Sequence, residues 1–148
     1  MTDVMRMADI AVLIEAAITE GGEFVLYPRG TSMQPFLREN ETAAVLVAPD
    51  SIKKHDTVLY RRENGVYVLH RIVKIRRDGY TMCGDNQYVL EHGIQKSQIV
   101  ARVSAIITGD NRDELSGKKY RRYLRRLPLR RLYKRLRAYA RIIIKGRK

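Results

Sequence analysis

Thr57-Val-Leu-Tyr-Arg-Arg-Glu-Asn64-Gly65-Val66-Tyr-Val-Leu-His70-Arg71-Ile-Val-Lys-Ile-Arg-Arg-Asp78-Gly79-Tyr-Thr-Met-Cys83 is the stretch that decides the fold. Asn64-Gly65 and Asp78-Gly79 divide it into three runs rich in β-branched and aromatic residues. Asn, Asp and Gly take positive φ at little cost, so each pair predicts a tight reversal. Strands over 57–61, 66–75 and 80–83 then form a meander. Alternation along the middle run puts His70 on the face of Val68 and Ile72 and turns Arg71 to the opposite face.

Further β-branched runs at 23–27, 43–47 and 99–107 extend the sheet. Upstream, Met7, Ile10, Leu13, Ile14, Ala17 and Ile18 recur at helical spacing, which predicts a helix over 3–20 stopped by Gly21-Gly22. Downstream, 110–117 reads as a polar linker. Residues 120–127 and 129–144 are helix-compatible, with Pro128 opening the second segment at its first turn. Leu129, Leu132, Tyr133, Leu136, Tyr139 and Ile143 share one face of that segment, and Arg or Lys fills most of the other. The expected organisation is an N-terminal amphipathic helix (1–22), a β domain (23–110) and a basic helical tail (111–148), mainly β overall.

The chain has 148 residues, 45% of them apolar, enough for one domain with its own core. Its formal charge of +13 is concentrated at one end. Residues 118–148 carry 15 Lys and Arg and no acid, whereas 1–117 hold 14 basic and 16 acidic residues. A near-neutral body with a cationic helix predicts an anionic partner: a membrane surface, favoured by the leucine stripe, or nucleic acid. No run approaches the roughly 20 apolar residues of a membrane span, and the amino terminus lacks the pattern of an export signal. The expected location is cytoplasmic, peripheral on a membrane. One cysteine, Cys83, allows no disulfide within the chain, and His55, His92 and Cys83 lack metal-site spacing. Neither a metal nor a small-molecule cofactor is expected.

Gly30-Thr31-Ser32-Met33-Gln34-Pro35 places a serine at a bend between a glycine and a proline. A serine hydroxyl is a poor nucleophile until a neighbouring base takes its proton. His70 is the best candidate, because an imidazole titrates near neutrality; a buried structural histidine is the alternative. Met33 and Pro35 read as shape-setting residues, and Arg71 as a salt-bridging one.

Three separated segments together resemble the type I signal peptidases, in their histidine-using branch of the endoplasmic reticulum, archaea and some Gram-positive bacteria. Ser32-Met33-Gln34-Pro35 is similar to the family's nucleophile box, Leu69-His70-Arg71-Ile72-Val73 to its base box and Gly84-Asp85-Asn86 to its Gly-Asp-Asn box. The resemblance runs from about residue 30 to 107 in the same order, with His55-Asp56-Thr57-Val58 where the family often has Gly-Asp-hydrophobic. It implies a signal peptidase/LexA-like β-rich fold and a serine endopeptidase acting on an extended leader or precursor peptide. Ser32 would be nucleophile and His70 general base. Asp85 would orient the imidazolium, its alternative being a turn aspartate. Gly30, Thr31, Met33 and Pro35 would form the substrate and oxyanion environment. Two positions depart from the family pattern. Gly30 stands where many relatives have a serine hydroxyl donor, with Thr31 its only substitute. Val89 and Leu90 occupy the stretch of a later aspartate, leaving Glu91 as the first acid. A non-catalytic peptide-binding descendant and a LexA-like regulator with a nucleic-acid-binding tail are the rival expectations.

Overall fold

In the computed structural model, which describes residues 6–147, helix α1 (Met7–Thr19) precedes β1 (Phe24–Leu26), β2 (Thr42–Val47), β3 (Thr57–Arg61), β4 (Tyr67–Arg76) and β5 (Gly79–Cys83). Then come β6 (Glu91–Ile94), β7 (Ile99–Thr108), β8 (Asn111–Asp113) and helix α2 (Lys118–Lys145). Residues 3–5 of the predicted first helix lie outside the described residues. All strands pair antiparallel in the order β1-β2-β7-β3-β4-β5-β6, with β8 on β7. The chain is thus mixed α and β, an eight-stranded antiparallel sheet with two helices among the described residues. The mainly β expectation understated the helix content, because α2 alone runs for 28 residues.

The meander forms as predicted, with one difference in the first turn. Only Gly65 takes positive φ, at +86°; its N–H bonds the Arg62 carbonyl at 2.9 Å, while the Asn64 side chain accepts from Val66 N–H at 3.1 Å. Asn64 therefore acts through its amide oxygen rather than through a left-handed backbone.

Both faces of the sheet are buried. Ile14 and Ile18 of α1 meet Met33, Phe36, Leu37, Ala44, Leu46, Leu59, Ala101 and Val103 on one side. On the other, Val58, Tyr60, Ile72, Met82, Ile94 and Ile99 make a second core. β4 lies between the two, which is why His70, Arg71 and Ile72 are buried in succession.

Helix α2 differs from its sequence reading in two ways. Pro128 lies within one continuous helix instead of opening a second. Its ring removes one backbone donor, and the buried Leu127 beside it anchors the helix to the body. The helix is also docked rather than detached, since Tyr120 packs tilted and Tyr123 stacked on Phe36, with ring centroids 6.1 and 5.9 Å apart. Asn111–Asp113, expected at the head of the tail, is a sheet strand. No described helix is long and apolar enough to cross a membrane.

Candidate functional site

Ser32 follows β1 in a bend whose shape depends on two glycines. Gly30 has φ of +87°, a conformation L side chains rarely adopt, so the glycine there serves the backbone. Gly84 lets a second segment approach, because a Cβ there would lie 2.6 Å from the Ser32 carbonyl oxygen. That carbonyl accepts the Asn86 N–H at 2.8 Å, and the Asn86 side-chain amide donates to the Thr31 carbonyl at 3.0 Å. Met33 is buried, with its Sδ 3.5 Å from the Asp85 N–H. The Gln34–Pro35 peptide is cis. The Ser32 bend is thus fastened to the Gly84–Asn86 turn, although more than 50 residues separate them along the chain. Among the described residues, the backbone N–H groups of Ser32 and Met33 donate to no acceptor, leaving two donors free at the bend.

His70 sits one residue before Arg71, whose cross-strand partner is Cys83, and so lies beside the same turn. It is 6% exposed. Its Nδ1 faces the Tyr60 hydroxyl at a long 3.5 Å, and that hydroxyl donates to Glu91 Oε2 at 3.2 Å. Arg62 holds the same carboxylate, with Nε 3.0 Å from each oxygen. Tyr60 has one hydroxyl proton, and an ionised carboxylate only accepts. The proton therefore goes to Glu91, and the phenol oxygen is left to accept from Nδ1–H of His70. That tautomer leaves the Nε2 lone pair free. Nε2 has no protein partner among the described residues and is not sealed from solvent. Burial, then the Arg62 charge, push the His70 imidazole down to about 4 against the opposing pull of Glu91 and Asp85, so it is a neutral base at physiological pH. Burial and the neighbouring Glu91 carboxylate push the Tyr60 phenol up and keep it protonated.

The structure brings Ser32 and His70 to the same turn without a hydrogen bond between their side chains. Ser32 lines a small cavity of about 150 Å³ with Met33, Tyr67, Val68 and Leu69. His70 lines a larger one of about 520 Å³, bounded by Asn86, Gln87, Tyr88 and Val89 on the body and by Lys134, Arg137 and Arg141 on α2.

Asp85 requires a correction, because no hydrogen bond joins it to His70 among the described residues. It is paired with Arg71 in two parallel contacts of 2.7 Å and accepts the Tyr123 hydroxyl at 2.7 Å. Asp85 stands in the turn that follows β5, where both of its carboxylate oxygens are taken by Arg71. Arg71 also bonds the His55 carbonyl at 2.7 Å and the Tyr120 hydroxyl at 2.9 Å, and its guanidinium stacks 4.6 Å from the Phe36 ring centroid. Burial disfavours the Arg71 charge, but the Asp85 bonds and charge outweigh it and hold the guanidinium above its ordinary value. The salt-bridging role expected of Arg71 is observed, and Asp85 is its structural partner.

Sequence reasoning missed Tyr60 and Arg62. Register was the available signal: Val58 opposes His70, so Tyr60, two residues on, shares its face. His92 pairs with Thr81 at 3.1 Å, and Cys83 is buried with its thiol pushed up by burial. Compared with protein-family models and with curated proteins, the chain matches none.

Proposed function

We propose that this protein is a serine endopeptidase of the signal peptidase/LexA-like kind, acting on an extended peptide segment such as a leader or precursor. What carries this is the fastening of the Ser32 bend to the turn beside His70, whose Nε2 is neutral, unpartnered and open to a cavity. In the substrate complex Ser32 Oγ closes on the scissile carbonyl carbon while Nε2 takes its proton. The N–H groups of Ser32 and Met33 receive the developing oxyanion, which makes a side-chain hydroxyl at residue 30 dispensable. His70 then passes the proton to the leaving amine as the C–N bond breaks. Water hydrolyses the acyl-enzyme by the same base. Apo geometry at such sites is often loose and tightens on binding. Glu91, through Tyr60, takes the orienting role first expected of Asp85.

The test is incubation of the full chain with a peptide library read by mass spectrometry, beside Ser32→Ala and His70→Ala. Cleavage lost in both variants supports the mechanism. Equal cleavage by Ser32→Ala discards it. Peptide binding without cleavage by the unaltered chain selects the non-catalytic alternative, which the missing Ser32–His70 hydrogen bond favours.

We further propose peripheral association with the anionic cytoplasmic face of a membrane through α2. Leu129, Leu132, Leu136, Tyr139 and Ile143 are each more than half exposed. At 100° per residue they lie about half a turn round from Leu127 and Ala138, which face the body. The apolar stripe therefore points outward and has no partner among the described residues. Arg135 and Arg137 flank it, each stacked 5.8 Å from a tyrosine ring centroid on the stripe. A second copy would bring two strongly cationic helices together, and nucleic acid has no use for a leucine stripe. An anionic bilayer satisfies both charge and apolar surface, with about 1 kcal/mol from each nearby cation. Flotation with phosphatidylserine-containing vesicles should recover the chain, and Leu132→Ser/Leu136→Ser should lose most of that recovery at unchanged charge. Equal flotation of both chains overturns the proposal.

A further inference from the structure

The inner face of α2 forms one wall of the His70 cavity, and it is a wall of cations. Lys134, Arg137 and Arg141 are spaced by three and four residues, so they line up along the helix over the cavity. None has an acidic partner among the described residues. Among the described residues the cavity's only carboxylate, Glu91, is occupied by Arg62 at 2.9 Å. On the body side the cavity is lined by the stretch 87–89, which belongs to no strand; Tyr88 and Val89 are exposed and make no backbone hydrogen bond among the described residues. A cavity of about 520 Å³ between unpaired backbone and three uncompensated charges is fitted to a polyanion that also offers main-chain groups.

We infer that the cavity between α2 and 87–89 selects acidic peptide segments, with Asp or Glu side chains directed at Lys134, Arg137 and Arg141. The occupant is peptide rather than free phosphate, because exposed Tyr88 and Val89 add apolar contact beside the unpaired backbone. This rests on the peptidase proposal only for the fate of the bound peptide; the binding itself stands apart from it.

The experiment is fluorescence anisotropy with the full-length Ser32→Ala chain and labelled peptides of one length, with Glu and Asp in one and Gln and Asn in the other. The acidic peptide should bind at least about tenfold tighter, a gap that narrows as salt rises. Lys134→Glu/Arg137→Glu should abolish that preference, and single Arg137→Gln should reduce it. Lys118→Glu/Arg122→Glu, the same charge change on α2 outside the cavity, should leave it within about twofold. Equal binding of the two peptides overturns the inference, as does equal loss from the two charge reversals, which would mean diffuse attraction to the tail. If the acidic peptide binds selectively and the unaltered chain does not cleave it, the peptidase proposal fails while the inference stands. If both peptides bind and are cleaved alike, the reverse holds.

Discussion

The imidazole of His70 carries the pH behaviour of the site, because burial and the Arg62 charge lower its affinity for protons, to about 4. The charges acting on it are Arg62, Glu91 and Asp85; the Tyr60 hydroxyl also faces it, and Lys134, Arg137 and Arg141 line the same cavity. A general base must be deprotonated, so the acid limb of kcat/KM should fall near pH 4 rather than near the ordinary histidine value of about 6.5. Arg62→Gln should move that limb upward, and Glu91→Gln, which leaves Arg62 unopposed, should move it downward. Titration of peptide cleavage reads both; shifts of the same sign in the two variants would exclude Arg62 and Glu91 as the tuning pair. The same depression acts on the fold. The unfolded chain protonates His70 near the ordinary value of about 6.5 while the folded chain resists, so stability falls as pH drops across that interval, by up to about 3 kcal/mol. Asp85 contributes differently, since its carboxylate neutralises a fully buried guanidinium. Asp85→Ala should cost about 3–5 kcal/mol, read as a lowered denaturation midpoint, because it leaves the Arg71 charge buried and unpaired.

At the scale of elements, α2 is one helix with two functions divided along its length. Its first turns hold Tyr120 and Tyr123 against Phe36 and supply hydrogen bonds to Arg71 and Asp85, whereas residues beyond Pro128 present the outward stripe. A chain ending after Gly117 should therefore unfold at markedly lower denaturant, and one ending after Pro128 should keep near-native stability while losing vesicle binding. Equal midpoints for the two truncations would show that the tyrosines do not brace the core. That division was hidden in the sequence, where 15 cations with no acid look like an appendage and only burial reveals which tyrosines are anchors. The central strands were legible because Asn64-Gly65 and Asp78-Gly79 announce their turns. Glu91–Ile94 and Asn111–Asp113 were not, since Gly93 and a wholly polar Asn-Arg-Asp offer no alternation, and their partners' backbones hold them in place. At the site, His70 and Arg71 were separable by alternation alone. The Tyr60–Glu91 contact spans 31 residues and depends on how β6 returns to the sheet, which no local pattern encodes.

At the scale of the whole molecule, the opposed faces of α2 set membrane and peptide on different sides of one helix. The stripe from Leu129 to Ile143 faces away from the body, while Lys134, Arg137 and Arg141 face the cavity. Apart from Arg137, which lines the cavity and also stacks on Tyr133 beside the stripe, neither partner needs the surface the other uses, so the two should bind together rather than compete. Anisotropy of the acidic peptide on the Ser32→Ala chain, measured with and without saturating phosphatidylserine vesicles, should give affinities within about twofold. A bilayer attracts cations within a Debye length of about 8 Å at physiological salt, and the helix itself stands between it and the cavity wall. Nucleic acid would behave otherwise, since phosphates seek every accessible arginine and would displace the peptide in proportion to their concentration. Displacement of the peptide by vesicles would mean that α2 leaves the body to enter the interface, exposing Leu127 and uncoupling Tyr123 from Asp85. Hydrogen exchange at residues 118–127 would then rise on vesicle binding instead of staying constant.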